Sequence, residues 1–194
     1  MRRYYYRKRH GWLALLVLVI ASLLLGGQKS GLIRQASQTA VSNQPGLYSI
    51  NHFVDGDTIA VNMNGKIEKV RFVGVDTPET HKPNTPVQCY GPAAAAFTKT
   101  TIGSQRVRLV SDSLSTDRDR YDRLLRYVYL PDGTLLNEKL IRNGYGFYYP
   151  YFPFTKSAQF SADEQAAIAQ HKGLWANCHP TPTDSGGYVS SPQV

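Results

Sequence analysis

The chain has 194 residues, a length that suits one globular domain with appended segments. It carries 22 Lys and Arg residues against 14 Asp and Glu residues, but five of its eight net positive charges come from Arg2, Arg3, Arg7, Lys8 and Arg9. The other residues have a net charge of only +3, so overall basicity does not by itself indicate a nucleic-acid partner.

An uncharged apolar run at residues 12–27 follows the basic N-terminus. As a helix it would span roughly 24 Å, less than the ~30 Å hydrocarbon core of a bilayer. Residues 1–27 therefore predict a signal peptide or a short membrane anchor, and the lack of a small-x-small cleavage site favours the uncleaved anchor. Because the positive flank stays in the cytoplasm, we expect an exported domain that is either anchored to the cell membrane or secreted. The polar residues 28–46 are expected to form a flexible linker.

The domain is expected to occupy residues 47–179 and to be α+β. Alternating apolar residues predict three antiparallel strands, with Asn64-Gly65 as a hairpin turn, and two further strands follow the first helix. Five short strands with about three α-helices indicate a small, partly open β-barrel. The predicted strands are 47–54, 58–63, 67–75, 106–110 and 124–130, and the predicted helices are 90–101, 135–143 and 156–171. Ser161 and Glu164 form a candidate capping box that would mark the true start of the last helix, and residues 180–194 are expected to be a disordered tail.

The two cysteines, Cys89 and Cys178, both fall in the part of the chain expected outside the cytoplasm. An even number of cysteines in an oxidising compartment favours one disulfide, which would close a long loop and contribute up to about 4–5 kcal/mol. A zinc site is disfavoured because no histidine stands at a useful spacing.

Carboxylates stand at the ends of two predicted strands. Asp57 lies in Asp55-Gly-Asp-Thr58, and Asp76 closes the strand that contains Arg71. Calcium takes carboxylate, backbone carbonyl and water oxygens, so Asp57, Asp76 and the Thr77 carbonyl are candidate ligands. The alternative is an ordinary Asp-Gly turn and a proline turn with solvated charges.

A dense run of charges occupies residues 116–123. Its alternative interpretation is a solvated loop whose opposite charges pair with one another at little energetic gain. As a functional element, it would supply an arginine that faces Arg71 across the barrel. Two guanidinium groups can bind one phosphodiester and stabilise the charge of its transition state.

Five motifs in order resemble the staphylococcal nuclease (thermonuclease) family. They are Asp55-Gly-Asp-Thr58, Arg71-Phe-Val-Gly-Val-Asp-Thr-Pro-Glu-Thr80, Tyr90-Gly-Pro-x-Ala, Asp119-Arg-Tyr-Asp-Arg-Leu-Leu125 and Asn137-Glu-x-Leu-Ile-Arg-x-Gly144. The resemblance covers roughly residues 47 to 178. It implies an OB-fold barrel with three helices and calcium-dependent hydrolysis of DNA and RNA that leaves 3′-phosphate ends.

The resemblance also implies roles for individual residues. Asp57, Asp76 and the Thr77 backbone match the calcium ligands, and Glu79 matches the proposed general base. Arg71 and Arg123 match the phosphate-binding arginines, while Arg120 and Tyr121 match residues that touch a terminal phosphate. An aromatic cluster lies near the place where the family stacks a base, although core packing is an equal alternative for each member: Tyr148, Tyr149, Tyr151 and Phe152.

Three departures from the family pattern bear on these assignments. Asp122 stands where the family type has glycine, and a carboxylate beside Arg123 could weaken its grip on phosphate. The sequence also leaves open which arginine matches the family's second phosphate-binding arginine, because three others stand near Arg123: Arg118, Arg120 and Arg126. Strict alternation would place Arg71 and Asp76 on opposite faces of one strand, so we predict a bulge near Gly74.

The sequence thus predicts an exported, calcium-dependent, sugar-nonspecific nuclease that acts as a monomer on DNA and RNA, either single-stranded or as frayed duplex. A noncatalytic extracellular nucleic-acid-binding module on the same barrel is the alternative, and a surface adhesion domain would explain export but not the five motifs. The N-terminal segment would add a membrane contact if it is uncleaved.

Overall fold

A computed structural model of the chain describes residues 46–81 and 84–193. The expected signal or anchor segment at residues 1–27 and all but the last residue of the expected linker lie outside the described residues. Within the part that is described, no helix is long and apolar enough to cross a membrane.

Five strands form a barrel: β1 (Leu47–Phe53), β2 (Thr58–Met63), β3 (Lys66–Phe72), β5 (Val107–Val110) and β6 (Leu124–Tyr129). A separate two-stranded sheet contains β4 (Val75–Asp76) and β7 (Phe147–Tyr148). The barrel closes in the order β1-β2-β3-β6-β5, in which the β3–β6 pair is parallel and the other pairs are antiparallel. This confirms the five-stranded α+β prediction, although the barrel is closed rather than partly open because β1 and β5 also pair.

The turn between β2 and β3 forms where the sequence predicts it. Asn64 and Gly65 both have positive φ angles, of 56° and 90°, as a two-residue hairpin turn requires. The apolar residues that follow in β3 alternate, so Val70 and Phe72 are buried and Lys69 is exposed. The hairpin therefore sets the register that brings Arg71 opposite Thr58 at the end of the barrel where β2 begins.

Helices cover the barrel and complete the hydrophobic core. In the described part of the chain they are α1 (Gly91–Ile102), α2 (Leu136–Arg142), α3 (Ser157–Ala169) and the short α4 (Leu174–Asn177), one more than the sequence predicts for the domain. Leu140 of α2 and Phe160 of α3 are fully buried in the same cluster as Phe72. Buried Asn137 joins α2 to the barrel, since it donates to the Val73 carbonyl at 2.9 Å and accepts from the Val128 amide.

The predicted capping box is wrong. α3 begins at Ser157, four residues before Ser161. Glu164 is buried and accepts a hydrogen bond from the Tyr148 amide at 2.8 Å, so its side chain satisfies a strand amide instead of capping its own helix. Burial raises the pKa of Glu164 to about 7.

The C-terminal tail also differs from the sequence expectation of disorder. β8 (Thr181–Pro182) pairs with β9 (Tyr188–Val189), and Ser190 is buried. The Tyr188 ring lies 4.9 Å from Trp175 and 6.2 Å from Phe147, between ring centroids. Packing of Tyr188 on these rings orders a segment that its polar composition alone predicted to be disordered.

The disulfide between Cys89 and Cys178 is formed, with 6.0 Å between the two Cα atoms. It confirms the predicted pairing and joins the segment before α1 to the end of α4.

Candidate active site

A turn at Gly74 separates β3 from β4 and returns the chain towards Arg71. Gly74 has a φ of +73°, and a Cβ there would lie 2.5 Å from the Phe154 ring, so only glycine fits. The predicted bulge is therefore replaced by a complete break between two strands. The guanidinium of Arg71 donates to the Val75 carbonyl at 2.6 Å and to Asp76 Oδ1 at 2.5 Å. The break between the strands therefore lets Arg71 and Asp76 meet, although one continuous strand would place them on opposite faces.

Asp57 and Asp76 converge on the same guanidinium. Asp57 Oδ2 lies 2.8 Å from Arg71 Nη1 and also accepts from the Thr77 amide at 2.7 Å. Asp57 Oδ1 accepts from the Thr58 hydroxyl, and the Asp57 residue is only 4% exposed. The structure thus brings together the three predicted calcium ligands and one predicted phosphate-binding arginine.

Asp55 is a further acid at this place to which the sequence analysis gave no role. Its Oδ1 accepts a hydrogen bond from the Asp57 amide at 3.1 Å. Burial, and then the neighbouring charge of Asp57, raise the pKa of Asp55 to about 7. The two-residue spacing in Asp55-Gly-Asp57 was the available signal, but only the tight turn places both carboxylates beside Arg71.

The cluster keeps Arg71 charged. Burial opposes its charge, but the negative charges of Asp57, Asp76 and Asp55 raise the pKa of Arg71 above its usual value. The Arg71 guanidinium therefore stays cationic at every physiological pH and neutralises part of the acidic cluster.

The oxygen donors at this place are of the types that hard divalent cations bind. In residues 46–81 and 84–193, no group of three or more His, Cys, Asp or Glu side chains is arranged to hold a metal ion. Two carboxylates nevertheless approach within 2.8 Å of one guanidinium, so their oxygens converge on a point that already holds positive charge. Calcium and magnesium use such oxygens together with backbone carbonyls and water, so Asp57, Asp76 and the Thr77 carbonyl could hold either ion.

A groove of about 370 Å³ opens beside this cluster. Arg71 and Arg123 both line it, as the functional interpretation of the charge run requires. Arg123 Nε is held 2.6 Å from Asp119 Oδ2. Hydrogen bonds from Arg123 lower the pKa of Asp119 against the opposing effect of burial, so this carboxylate stays ionised. The groove lining also includes Arg120, Tyr121, Tyr149 and Phe152.

The neighbouring arginines are engaged elsewhere, which settles which of them face the groove. Arg118 binds Glu68 at 3.0 Å and the Asp122 carbonyl at 2.7 Å. Arg126 binds Asp117 at 2.6 Å. Neither lines the groove, so Arg123 and Arg120 are the members of this run that could contact a phosphate there.

The aromatic cluster divides into groove and core residues. Tyr149 lies beside Arg71, with 5.9 Å from the guanidinium carbon to the ring centroid, and Phe152 is 66% exposed. Tyr148 instead packs against Phe154 and its hydroxyl contacts Ser157 at 2.6 Å. Tyr149 and Phe152 are therefore the available stacking surfaces, whereas Tyr148 has a packing role.

Glu79 lies close to the cluster along the chain but does not line the groove. It is half-buried, three residues after Asp76, and its backbone is hydrogen-bonded to Gln88. The expected general base thus follows Asp76 closely in the chain but lies outside the lining of the groove that contains Arg71 and Arg123.

Comparison with known proteins agrees with this geometry. A family model described as "Staphylococcal nuclease homologue" matches residues 69–177. The chain is similar to a thermonuclease of Staphylococcus hyicus, with 39% identity over 84% of this chain and 96% of the relative. It is 50% identical to a thermonuclease of Staphylococcus intermedius over 50% of this chain and 56% of the relative. It is 40% identical to endonuclease YncB of Bacillus subtilis over 84% of this chain and 72% of the relative. From its motifs, its barrel and these relatives, the chain belongs to the staphylococcal nuclease homologue family.

Proposed function

We propose that this chain is a calcium-dependent nuclease that hydrolyses phosphodiester bonds of DNA and RNA outside the cytoplasm. Its family membership makes it a nuclease. The single observation that carries the finer proposal is the meeting of Arg71 and Arg123 in one groove, with Arg71 itself paired to the carboxylates of Asp57 and Asp76.

The arginines supply binding and transition-state stabilisation. Arg71 and Arg123 present two guanidinium groups to one phosphodiester, which binds it and neutralises the charge that develops on its oxygens. Asp119 orients Arg123 by accepting from both its backbone amide and its Nε. Arg120 and Tyr121 also line the groove, and we propose that they contact a terminal phosphate of the bound strand.

Hydrolysis also needs a cation and a base. Asp57, Asp76 and the Thr77 carbonyl would hold calcium, which when bound would supply positive charge next to a phosphoryl oxygen. Glu79 takes a proton from the attacking water, whose oxygen forms the new bond to phosphorus. The bond to the 5′ oxygen breaks, that oxygen takes up a proton, and a 3′-phosphate end remains.

The groove favours an unpaired strand without selecting a sequence. Tyr149 and Phe152 offer aromatic faces, and every base can stack on such a face. Single strands and frayed duplex ends expose their bases for stacking, so we propose both DNA and RNA in these forms as substrates, bound by a monomer.

The proposed location rests on the N-terminal sequence and on the disulfide. The basic and apolar residues 1–27 favour export with a membrane anchor or a cleaved signal. The Cys89–Cys178 disulfide suits an oxidising compartment.

The test is cleavage by the full-length oxidised chain. Single-stranded DNA, duplex DNA and RNA would each be incubated in calcium, in magnesium and in chelator, with Glu79→Gln beside the wild type. Glu138→Gln is the matched control, because Glu138 pairs with Arg142 away from the groove. We expect calcium-dependent cleavage of all three substrates that is lost in Glu79→Gln and kept in Glu138→Gln. Binding without cleavage in every condition would instead support the noncatalytic module.

A further inference from the structure

Gln88 holds both backbone polar groups of Glu79. The Glu79 amide donates to Gln88 Oε1 at 2.8 Å, and the Gln88 amide donates to the Glu79 carbonyl at 2.9 Å. Two hydrogen bonds between the same two residues define the orientation of the Glu79 backbone as well as its distance. The direction in which the Glu79 side chain leaves the chain therefore depends on Gln88.

The C-terminal tail holds the other side of the Gln88 segment. The Cys89 amide donates to the Ser191 carbonyl at 2.8 Å, and the Gln193 amide donates to the Val87 carbonyl at 2.7 Å. Successive residues of an extended segment direct their polar groups to opposite sides. Residues 87 and 89 therefore face the tail while Gln88 faces Glu79. The segment 87–89 thus connects the tail to the Glu79 backbone.

Covalent, hydrogen-bonding and apolar contacts fix the segment 87–89 in place. Cys89 is bonded to Cys178, which is only 4% exposed. The Ser190 hydroxyl donates to the Cys89 carbonyl at 2.9 Å. The tail itself is docked by Tyr188, whose ring packs against Trp175.

The start of α1 closes the remaining side of Glu79. The Gly91 amide donates to the Gln88 carbonyl at 3.0 Å. A Cβ at Gly91 would lie 2.8 Å from the Glu79 carbonyl oxygen, so helix and loop are in close contact. The Glu79 backbone cannot move towards the helix, and Gln88 prevents it from moving away.

We propose that Gln88 is the positioning residue for Glu79 and that the Cys89–Cys178 disulfide, together with residues 190–193, holds Gln88 in place. This inference rests on the proposed function in one respect, namely that Glu79 acts as the general base. A displacement of about 1 Å in a reacting group can lower a rate by roughly 100-fold. Turnover therefore depends on a disulfide whose cysteines neither bind substrate nor react with it.

The first test replaces Gln88 in the full-length oxidised chain. Gln88→Met keeps the side-chain length but removes the acceptor, whereas Gln88→Glu keeps an acceptor oxygen. For Gln88→Met we expect kcat to fall about 10- to 100-fold with KM nearly unchanged, and hydrogen exchange of the Glu79 amide to become faster. Gln88→Glu should recover most of the lost kcat and of the amide protection. Gln165→Met, at an exposed position of α3, is the matched control.

The second test breaks the disulfide. An external dithiol supplies two electrons and two protons, converts the Cys89–Cys178 bond to two thiols and is itself oxidised to a cyclic disulfide. We expect faster exchange of the Glu79 amide and a lower kcat on reduction. The double variant Cys89→Ser, Cys178→Ser should behave like the reduced protein and show no further response to dithiol.

The two readouts separate this inference from the proposed function. If the wild type cleaves nothing, the proposed function fails, and amide exchange alone decides whether Gln88 positions Glu79. Unchanged exchange at Glu79 in both Gln88→Met and the reduced protein would overturn the inference. So would a kcat in Gln88→Met that equals that of the wild type.

Discussion

Arg71 Nη1 lies 2.8 Å from Asp57 Oδ2, so an arginine expected to bind phosphate is paired with a carboxylate expected to bind calcium. Asp76 shares the same guanidinium. The ion pair and a divalent cation would use the same oxygen, so the two compete. A cation that binds Asp57 in place of Arg71 would release Arg71 to the groove, where we propose that the substrate phosphate binds.

Arg71→Met should therefore bind calcium more tightly than the wild type does, by about tenfold, because a competing positive charge is removed. Cleavage should be lost in the same variant, since one phosphate-binding guanidinium is missing. Calorimetric titration with calcium measures the affinity directly. Arg118→Met is the control, because that arginine pairs with Glu68 rather than with the acidic cluster. Weaker calcium binding in Arg71→Met would contradict the competition.

Arg123→Ala should lower kcat by about 100-fold or more while the fold survives, because one transition-state contact is lost at a half-buried position. Steady-state cleavage of single-stranded DNA is the measurement. Arg108→Ala is the matched control, since Arg108 is an exposed residue of β5 that stacks on Tyr129. Equal losses in the two variants would show that general charge, rather than the groove, carries the effect.

Asp122→Gly should stabilise the protein by up to about 1 kcal/mol, because Asp122 has a φ of 62°, where glycine is least strained. The Asp122 carboxylate lies 3.4 Å from Arg118, and Arg123 instead pairs with Asp119. Activity should therefore stay near the wild-type value. Thermal unfolding and cleavage assays on the same samples test both statements. A large gain in activity would mean that Asp122 does weaken the binding of phosphate by Arg123.

Asp112 links the segment after β5 to the start of α3. Burial opposes its ionisation, but hydrogen bonds from Thr155, Tyr127 and Leu114 lower the pKa of Asp112 to about 2. Because the folded-state pKa is below the unfolded value, its stabilisation is complete above pH 4 and disappears as pH falls to about 2.

Asp112→Asn should lower the free energy of unfolding near neutral pH by about 2 kcal/mol and flatten its dependence on pH between about 4 and 2. Denaturant unfolding at several pH values is the measurement, with the exposed Asp184→Asn as control. If both variants keep the wild-type slope, Asp112 does not contribute to acid unfolding.

Glu164 should affect the free energy of unfolding with a pH dependence opposite to that of Asp112, and Glu164→Gln tests this. The pKa of Glu164 is raised to about 7, so the neutral acid stabilises the fold at low pH and this contribution is lost as pH rises from about 4.5 through 7. A neutral glutamine keeps an acceptor for the Tyr148 amide. We expect it to be more stable than the wild type by up to about 3 kcal/mol at pH 8 and nearly equal at pH 4. Thermal unfolding at the two pH values tests this, and a gain of the same size at both would contradict it.

Motifs that are short and continuous could be predicted from the sequence. The Asn64-Gly65 turn, the start of α1 near Pro92 and its end at Gly103 depend on backbone preferences of those residues themselves. The grouping of Asp57, Asp76 and Thr77 followed from motif order, and the structure brings them together.

Apart from the Cys89–Cys178 disulfide, the features that join distant segments could not be predicted in this way. The disordered-tail expectation failed because it considered composition, whereas Tyr188 is ordered by rings from two other segments. The capping box failed because Glu164 satisfies a strand amide that comes before its own helix. Similarly, Arg118, Arg123 and Arg126 look alike in sequence, and only their acidic partners and the lining of the groove distinguish Arg123 from the other two.

By itself, the sequence determined the α+β class, the five barrel strands and the family, because these depend on local propensity, alternation and the order of motifs. Only the tertiary structure decided how Gly74 returns Asp76 to Arg71, which arginines face the groove and how Gln88 holds Glu79. The physical reason is that these relationships are made by packing and hydrogen bonds between segments far apart in the chain, whose geometry no local pattern records.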